Sequence, residues 1–226
     1  MGLHLVIGNK NYSSWSLRPW IALRVANIPF EETIIPLYEP GSPAQIAKFS
    51  PAGKVPILID GDVRVWETLA ILEYLAEKFP EAGFWPKDAG ARAHARAIAN
   101  EMHAGFVALR RECPMNMWHP PAKRELSVEA TANARRIDDI WSDCRARFGV
   151  GGPFLFGAFS AADAMYAPVV SRFHTYAIDV GPPSRAYMAA VMALPAWREW
   201  FSAALKETWV MQGNEPDWPE VKRVQA

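Results

Sequence analysis

Tyr12-Ser13-Ser14-Trp15-Ser16-Leu17-Arg18-Pro19-Trp20-Ile21-Ala22-Leu23-Arg24-Val25-Ala26-Asn27 opens a helical pattern on a hydroxyl cluster, directly after the short apolar run Leu3 to Ile7. A strand that runs into such a helix entrance gathers side-chain oxygens and unpaired backbone N–H groups at the positive end of a helix dipole, where an anion is stabilised. Phosphate is one such anion. A thiolate is another, and any neighbouring donor that favours the charged form raises its population at neutral pH. Serine is also a common N-cap residue, so the same cluster can equally well just begin a helix.

Working outward, the first 80 residues alternate period-two and period-3.6 patterns, which predicts strands and helices woven into one sheet. Strands are expected at Leu3 to Ile7, Glu32 to Pro36, Pro56 to Ile59 and Val63 to Trp66, the last two joined by the hairpin signal Asp60-Gly61-Asp62. Helices are expected at Ser14 to Ala26, Ala44 to Phe49 and Glu67 to Phe79. Pro80 to Ala91 has the prolines, glycines and mixed charge of a linker. Beyond it, Ala-rich segments punctuated by Arg predict helices at Arg92 to Cys113, Ser127 to Phe148, Ser160 to Ala177, Ser184 to Met192 and Pro195 to Leu205, with no strand. Two domains are therefore expected, an α/β domain over residues 1–80 and an all-α domain over 92–226. Ser160-Ala-Ala-Asp163 reads as a capping box.

With half of its 226 residues hydrophobic, the chain can bury a substantial core. Its 24 basic and 24 acidic side chains cancel, so no global field draws it to nucleic acid or to an anionic membrane. Small molecules and proteins are the expected partners. The N-terminal apolar run turns polar at Asn9-Lys10-Asn11, unlike a secretory signal, and no stretch approaches a membrane span, so a cytoplasmic location is expected. Cys113 and Cys144 form no CxxC pair and are expected as buried free thiols; His103 has no second histidine at metal-ligand spacing, and no metal is expected.

Three features stand in order along the chain: the Ser13-Ser14-Trp15-Ser16 entrance, Lys54-Val55-Pro56 opening a strand, and Glu67-Thr68-Leu69-Ala70-Ile71 opening a helix before a linker and a helical domain. Together they resemble the cytosolic glutathione transferase superfamily over nearly the whole chain, and Ser160-Ala-Ala-Asp163 is similar to that family's C-terminal capping box. The nearest pattern is the zeta class, with Ser13, Ser14 and Arg18 matching and Trp15 and Leu17 departing from its cysteine and aromatic.

The resemblance implies a thioredoxin-like N-terminal domain of order βαβαββα, an all-helical C-terminal domain, and a homodimer active in detoxification. It implies glutathione as a co-substrate and no other cofactor. Ser13, with Ser14 second, is then the hydroxyl that donates to the glutathione thiolate, since a serine is too weak an acid and base to do more. Glu67 faces the γ-glutamyl ammonium, Thr68 and the amides beside it take the carboxylate, and Lys54 reaches a terminal carboxylate. Pro56 carries a cis bond that lets Val55 pair its backbone with the cysteinyl amide. The electrophile is expected between the domains, against Trp15, Met102, Phe106 and Arg110. The rival readings are a glutathione-dependent cis-trans isomerase of the zeta (maleylacetoacetate isomerase) type, and a non-catalytic glutathione-binding module.

Overall fold

A computed structural model describes residues 2–224. The N-terminal half runs β1 (Leu3–Ile7), α1 (Ser14–Val25), β2 (Phe30–Ile34), α2 (Ser42–Ala47), β3 (Ile57–Asp60), β4 (Val63–Trp66) and α3 (Thr68–Lys78). The sheet has the order β2-β1-β3-β4, with β1 parallel to β2 and the other two pairs antiparallel. This is the thioredoxin-like arrangement that the family resemblance implied.

Alternation along β1 explains how the sheet is covered. Leu3, Leu5 and Ile7 join Leu58 in the main core with Leu17 and Ile21 of α1 and Ile71, Leu72 and Leu75 of α3. Val6 points the other way and, with Ile35, Ile57 and Ile46 of α2, forms a smaller cluster on the opposite face. Gly61 sits at φ 60° in the two-residue turn between β3 and β4, a conformation that glycine adopts without strain. At the end of β1 the backbone passes so close to Leu37 that a Cβ on Gly8 would lie 2.7 Å from the Leu37 Cδ1. That close approach holds the chain after β2 against the loop that leads to Ser13.

The C-terminal half contains α4 (Ala89–Ala104), α5 (Val107–Glu112), α6 (Val128–Phe148), α7 (Ala161–Thr175), α8 (Pro182–Ala193) and α9 (Pro195–Ala204). Helix α4 begins inside the stretch read as linker, because the Asp88 carboxylate caps it by accepting from the Ala91 N–H at 2.8 Å. The single helix expected over 92–113 is two helices. Gly105 is extended and Phe106 is left-handed at φ 57°, and a Cβ on Gly105 would lie 2.7 Å from the Glu101 carbonyl oxygen. The break turns α5 away from the axis of α4. Strand β2 also begins earlier than expected, at Phe30, because its register is set by β1, where Leu3 pairs with Phe30.

Helix α7 is buried along nearly its whole length and packs against α1, α4 and α8. Its capping box forms as expected: the Asp163 carboxylate accepts the Ser160 N–H and hydroxyl, both at 2.8 Å, and also the Leu155 N–H at 3.0 Å. Burial raises that carboxylate to about 6 even though these hydrogen bonds oppose the shift. Cys113 and Cys144 are buried free thiols, pushed up by burial to about 11 and about 12. At neutral pH neither is a nucleophile.

After α9 the chain runs back along the loop between β1 and α1. The Trp200 indole donates to the Lys10 carbonyl at 2.8 Å, and the Glu207 carboxylate accepts the N–H groups of Lys10 and Asn11 at 2.6 and 2.9 Å. The Glu215 carboxylate accepts from the Tyr12 hydroxyl at 2.5 Å and from the Asn116 amide at 3.0 Å. Among the described residues no helix is long and apolar enough to cross a membrane.

Candidate active site

Between α3, the start of β3, the first turn of α1 and the end of α4 lies a cavity of about 290 Å³. Trp15, Lys54, Val55, Pro56, Trp66, Glu67, Thr68 and His103 line it. All the residues expected to bind glutathione by its backbone are thus brought to one place, although they come from separate elements. The Val55–Pro56 bond is cis, as the resemblance implied.

The β4–α3 junction presents Glu67. Its φ of 66° and ψ of 126° are rare for a residue with a side chain, and the carboxylate does not cap its own helix. Half of the Glu67 side chain is exposed to the cavity side, and Oε2 lies 3.8 Å from the His103 Nε2. Thr68 is fully buried and donates its hydroxyl to the Trp15 carbonyl at 3.2 Å. Its hydroxyl therefore ties α3 to α1, and the amides of the first turn of α3 are left as the anion donors there. Lys54 is exposed at the cavity rim.

The two serines have different partners. Ser13 is the N-cap of α1, yet its side chain makes no capping bond; its hydroxyl donates to the Ser16 Oγ at 2.7 Å, which also accepts the Gly8 N–H at 3.0 Å. Ser14 is the first residue of the helix, and its Oγ accepts from the Arg172 guanidinium of α7 at 3.2 Å. Neither serine is among the residues lining the cavity; both are buried just behind it. Trp15 is the residue of this turn that forms the wall.

The Trp15 ring is held by cations. The Arg18 guanidinium carbon lies 4.0 Å from the ring centroid and that of Arg110 5.4 Å, while the His103 ring meets it edge-on at 5.1 Å. Arg18 is buried, donates Nε–H to the Met165 carbonyl at 3.0 Å, and leaves Nη1 without a partner. Burial, then the charges of Arg172 and Arg110, pull its ionisation well below the usual arginine range. Burial likewise lowers Arg172 to about 10. Among the described residues none of these three arginines forms an ion pair. The first turn of α1 therefore lies in a positive field of side chains added to that of the helix, and a thiolate placed there is favoured over a thiol.

In the sequence His103 shows only that it lacks a second histidine at metal-ligand spacing. In the structure it is the C-terminal half's contribution to the cavity wall, and burial lowers its ionisation below the ordinary histidine value against the opposing charge of Glu67. Trp66, which lines the same cavity at 41% exposure, carried no signal in the sequence beyond strand propensity. Met102 and Phe106 do not line this cavity. They are 0% and 7% exposed and belong to the main core, Met102 on the packed face of α4 and Phe106 at the break that follows it. Arg110 reaches the Trp15 ring but is anchored to the His103 carbonyl at 3.3 Å.

Comparison with known proteins agrees with this geometry. A sequence model described as "Glutathione S-transferase, N-terminal domain" matches residues 12–78, and one described as "Glutathione S-transferase, C-terminal domain" matches residues 92–203. The chain is 36% identical over 208 residues to glutathione S-transferase theta-1 of Bos taurus, covering 87% of this chain and 81% of that one. The chain belongs to the glutathione S-transferase family. Within the family it is also 40% identical over 101 residues to a probable maleylacetoacetate isomerase of Caenorhabditis elegans, a match spanning 44% of this transferase and 46% of the relative. A glutathione transferase homologue from Burkholderia, solved with bound glutathione, superposes with a TM-score of 0.68 at 20% identity, covering 90% of this chain and 98% of that one.

Proposed function

We propose that this transferase binds glutathione in the cavity between the cis Val55–Pro56 edge and the entrance of α3, and activates its thiol for attack on a small hydrophobic electrophile. The observation that carries the reading is the convergence of Lys54, Val55, Pro56, Glu67 and Thr68 on one cavity, which brings partners for each end of the tripeptide and for its middle together. The Glu67 carboxylate takes the γ-glutamyl ammonium, the amides at the start of α3 take its carboxylate, the Val55 backbone pairs with the cysteinyl amide, and Lys54 takes the glycyl carboxylate. The thiol then points toward the first turn of α1.

Of the two serines, Ser14 is the better donor to the thiolate. Its oxygen accepts from Arg172, which can only donate and so leaves the Ser14 proton for the sulfur, whereas Ser13 shares its hydroxyl contact with Ser16. A donor that is itself polarised by a guanidinium favours the anion more strongly than a bare hydroxyl does. The reaction ends with the sulfur bonded to the electrophile's carbon and the leaving group departing with the electron pair of the broken bond. The same reading makes the enzyme a cytoplasmic homodimer that serves detoxification, as the family resemblance implies. The isomerase alternative rests on the maleylacetoacetate isomerase relative and on the Ser13-Ser14 pair. Glutathione-dependent conversion of maleylacetone without adduct formation selects it; turnover of a chlorinated nitroaromatic selects the transferase.

The test follows thiolate absorbance in the ultraviolet against pH with glutathione bound. Ser14→Ala is expected to raise the pKa of the bound thiol by about one unit, equivalent to roughly 1.4 kcal/mol and within reach of one charge-assisted hydrogen bond. Ser13→Ala, which breaks the Ser13–Ser16 contact, is expected to act on stability. A rise confined to Ser13→Ala returns the role to Ser13, and no rise in either leaves the arginine field and the backbone amides as the source of activation.

Glu67→Ala supplies a second check. Loss of a charge-assisted contact to the ammonium is expected to weaken glutathione binding by about 1.5 to 3 kcal/mol, with little effect on folding because the side chain is half exposed. Calorimetric titration that returns the wild-type affinity in the folded variant removes Glu67 from the site.

A further inference from the structure

We infer that His103 positions the Glu67 carboxylate for the amino end of glutathione while its ring is uncharged, and takes that end's place on the carboxylate once its ring is charged. This role deepens the glutathione reading above and depends on it. The Glu67 side chain is half exposed and does not cap its own helix, and among the described residues His103 is the one side chain paired with its carboxylate. Their separation of 3.8 Å from Nε2 to Oε2 is too long for a hydrogen bond and short enough for an ion pair. An ammonium and an imidazolium on one carboxylate lie within about 6 Å of each other, near enough for each to disfavour the other. The same carboxylate therefore serves one of them at a time.

The surroundings of the ring decide which state prevails. His103 sits in the last turn of α4, its carbonyl held by Arg110 and its ring packed edge-on against Trp15. Its Nδ1 is buried without a hydrogen-bond partner, whereas Nε2 is the nitrogen beside Glu67. An unpartnered buried N–H is costlier than an unpartnered lone pair, which assigns the proton of the neutral ring to Nε2. Charging the ring adds an N–H at Nδ1, where nothing accepts it. Burial opposes that charge first; Glu67 at the entrance of α3 favours it, and Arg18 of α1 and Arg110 of α5 oppose it. The C-terminal end of α4 favours it as well, and Lys54 stands at the rim of the same cavity. At neutral pH the ring is a donor without a charge, so it steadies Oε2 and leaves the negative charge of Glu67 to the ammonium. Below the ordinary histidine value the ring gains its proton and pairs with Glu67 itself. A bound ammonium makes that protonation still less favourable, so binding expels the proton and loosens as pH falls.

The experiment titrates two probes calorimetrically into the whole protein at about pH 7.5 and about pH 5, on either side of the ordinary histidine value. S-methylglutathione has no thiol to titrate, and S-methyl-glutarylcysteinylglycine is the same molecule without its ammonium. From the higher to the lower pH the wild type is expected to lose affinity for S-methylglutathione at least roughly threefold, and for the deaminated probe less than about twofold. His103→Gln keeps a donor but cannot take a charge, and is expected to reduce the acid loss of S-methylglutathione affinity to less than about twofold. His103→Ala is expected to weaken S-methylglutathione about threefold or more at the higher pH, with His103→Gln weakening it less. An equal acid loss for the two probes in the wild type overturns the inference alone, and this comparison stands even where a variant does not fold. The same acid loss in His103→Gln as in the wild type overturns it too, as does wild-type affinity in His103→Ala. Failure of the wild type to bind S-methylglutathione at the higher pH overturns the glutathione reading, and this inference with it.

Discussion

Asp163→Ala is expected to lower the unfolding free energy by about 2 to 4 kcal/mol at pH 7. The substitution leaves the Leu155 N–H, the Ser160 N–H and the Ser160 hydroxyl without their acceptor inside the core. Each unsatisfied donor costs about 1 to 3 kcal/mol. Part of that loss is offset because the ionised carboxylate is itself strained by burial: its rise from 3.8 to about 6 corresponds to roughly 3 kcal/mol of disfavoured charge at neutral pH. For a chain of this size the net change lowers the melting temperature by roughly 5 to 15 °C. A calorimetric shift under 2 °C removes the capping box from the stabilising contacts of α7.

The same carboxylate gives the enzyme a definite pH dependence. Its folded-state value lies above its unfolded one, so the native state holds the proton more tightly. The stabilising contribution is complete below about 3.8 and is lost as pH rises through about 6. The stability difference between wild type and Asp163→Asn should therefore shrink as pH rises from 4 to 7. His103 and His174, lowered by burial, act in the opposite sense but cancel between the two proteins. Urea melts at four pH values measure it, and a constant difference excludes Asp163 as the titrating group.

Glu207→Ala is the second large effect expected. It strips the acceptor from two buried N–H groups at Lys10 and Asn11, for a loss of about 2 to 4 kcal/mol. The Lys10 ammonium keeps its pairing with Glu32 at 2.8 Å, so the damage is confined to the backbone of the loop. Because that backbone leads directly into Ser13 and Ser14, kcat/KM toward a chlorinated nitroaromatic is expected to fall at least roughly tenfold, and Glu207→Gln, which retains one acceptor oxygen, to fall less. Unchanged kcat/KM in a folded but destabilised Glu207→Ala variant detaches the C-terminal segment from the site.

Much of this was legible from the residues. The alternation of Leu3, Leu5 and Ile7, the Asp60-Gly61-Asp62 turn and the Ser160–Asp163 box are local signals, and local chemistry decides them. The grouping of Lys54, Val55, Pro56, Glu67 and Thr68 came from the family resemblance, since nothing in their separate patterns shows that three elements converge. The different partners of Ser13 and Ser14 were not legible, because that of Ser14 is Arg172, nearly 160 positions away. Met102 and Phe106 show the limit of spacing. An apolar stripe marks a face that is buried, and spacing alone does not say whether protein or ligand buries it. Nothing local marks His103 as a cavity residue, because its place follows from the end of α4 reaching the α3 entrance.

The C-terminal segment has a consequence for the birth of the enzyme on the ribosome. The loop that carries Ser14 precedes its partners by most of the chain: Trp200, Glu207 and Glu215 lie 190, 197 and 203 positions downstream of Lys10, Lys10 and Tyr12. At elongation rates of about 5 to 20 residues per second, the thioredoxin-like half waits on the order of ten seconds between emerging and receiving those contacts. Throughout that interval the nascent sheet can fold while the turn that carries Ser13 and Ser14 still lacks its C-terminal contacts. A product cut short before Glu207 therefore carries the sheet without a finished turn.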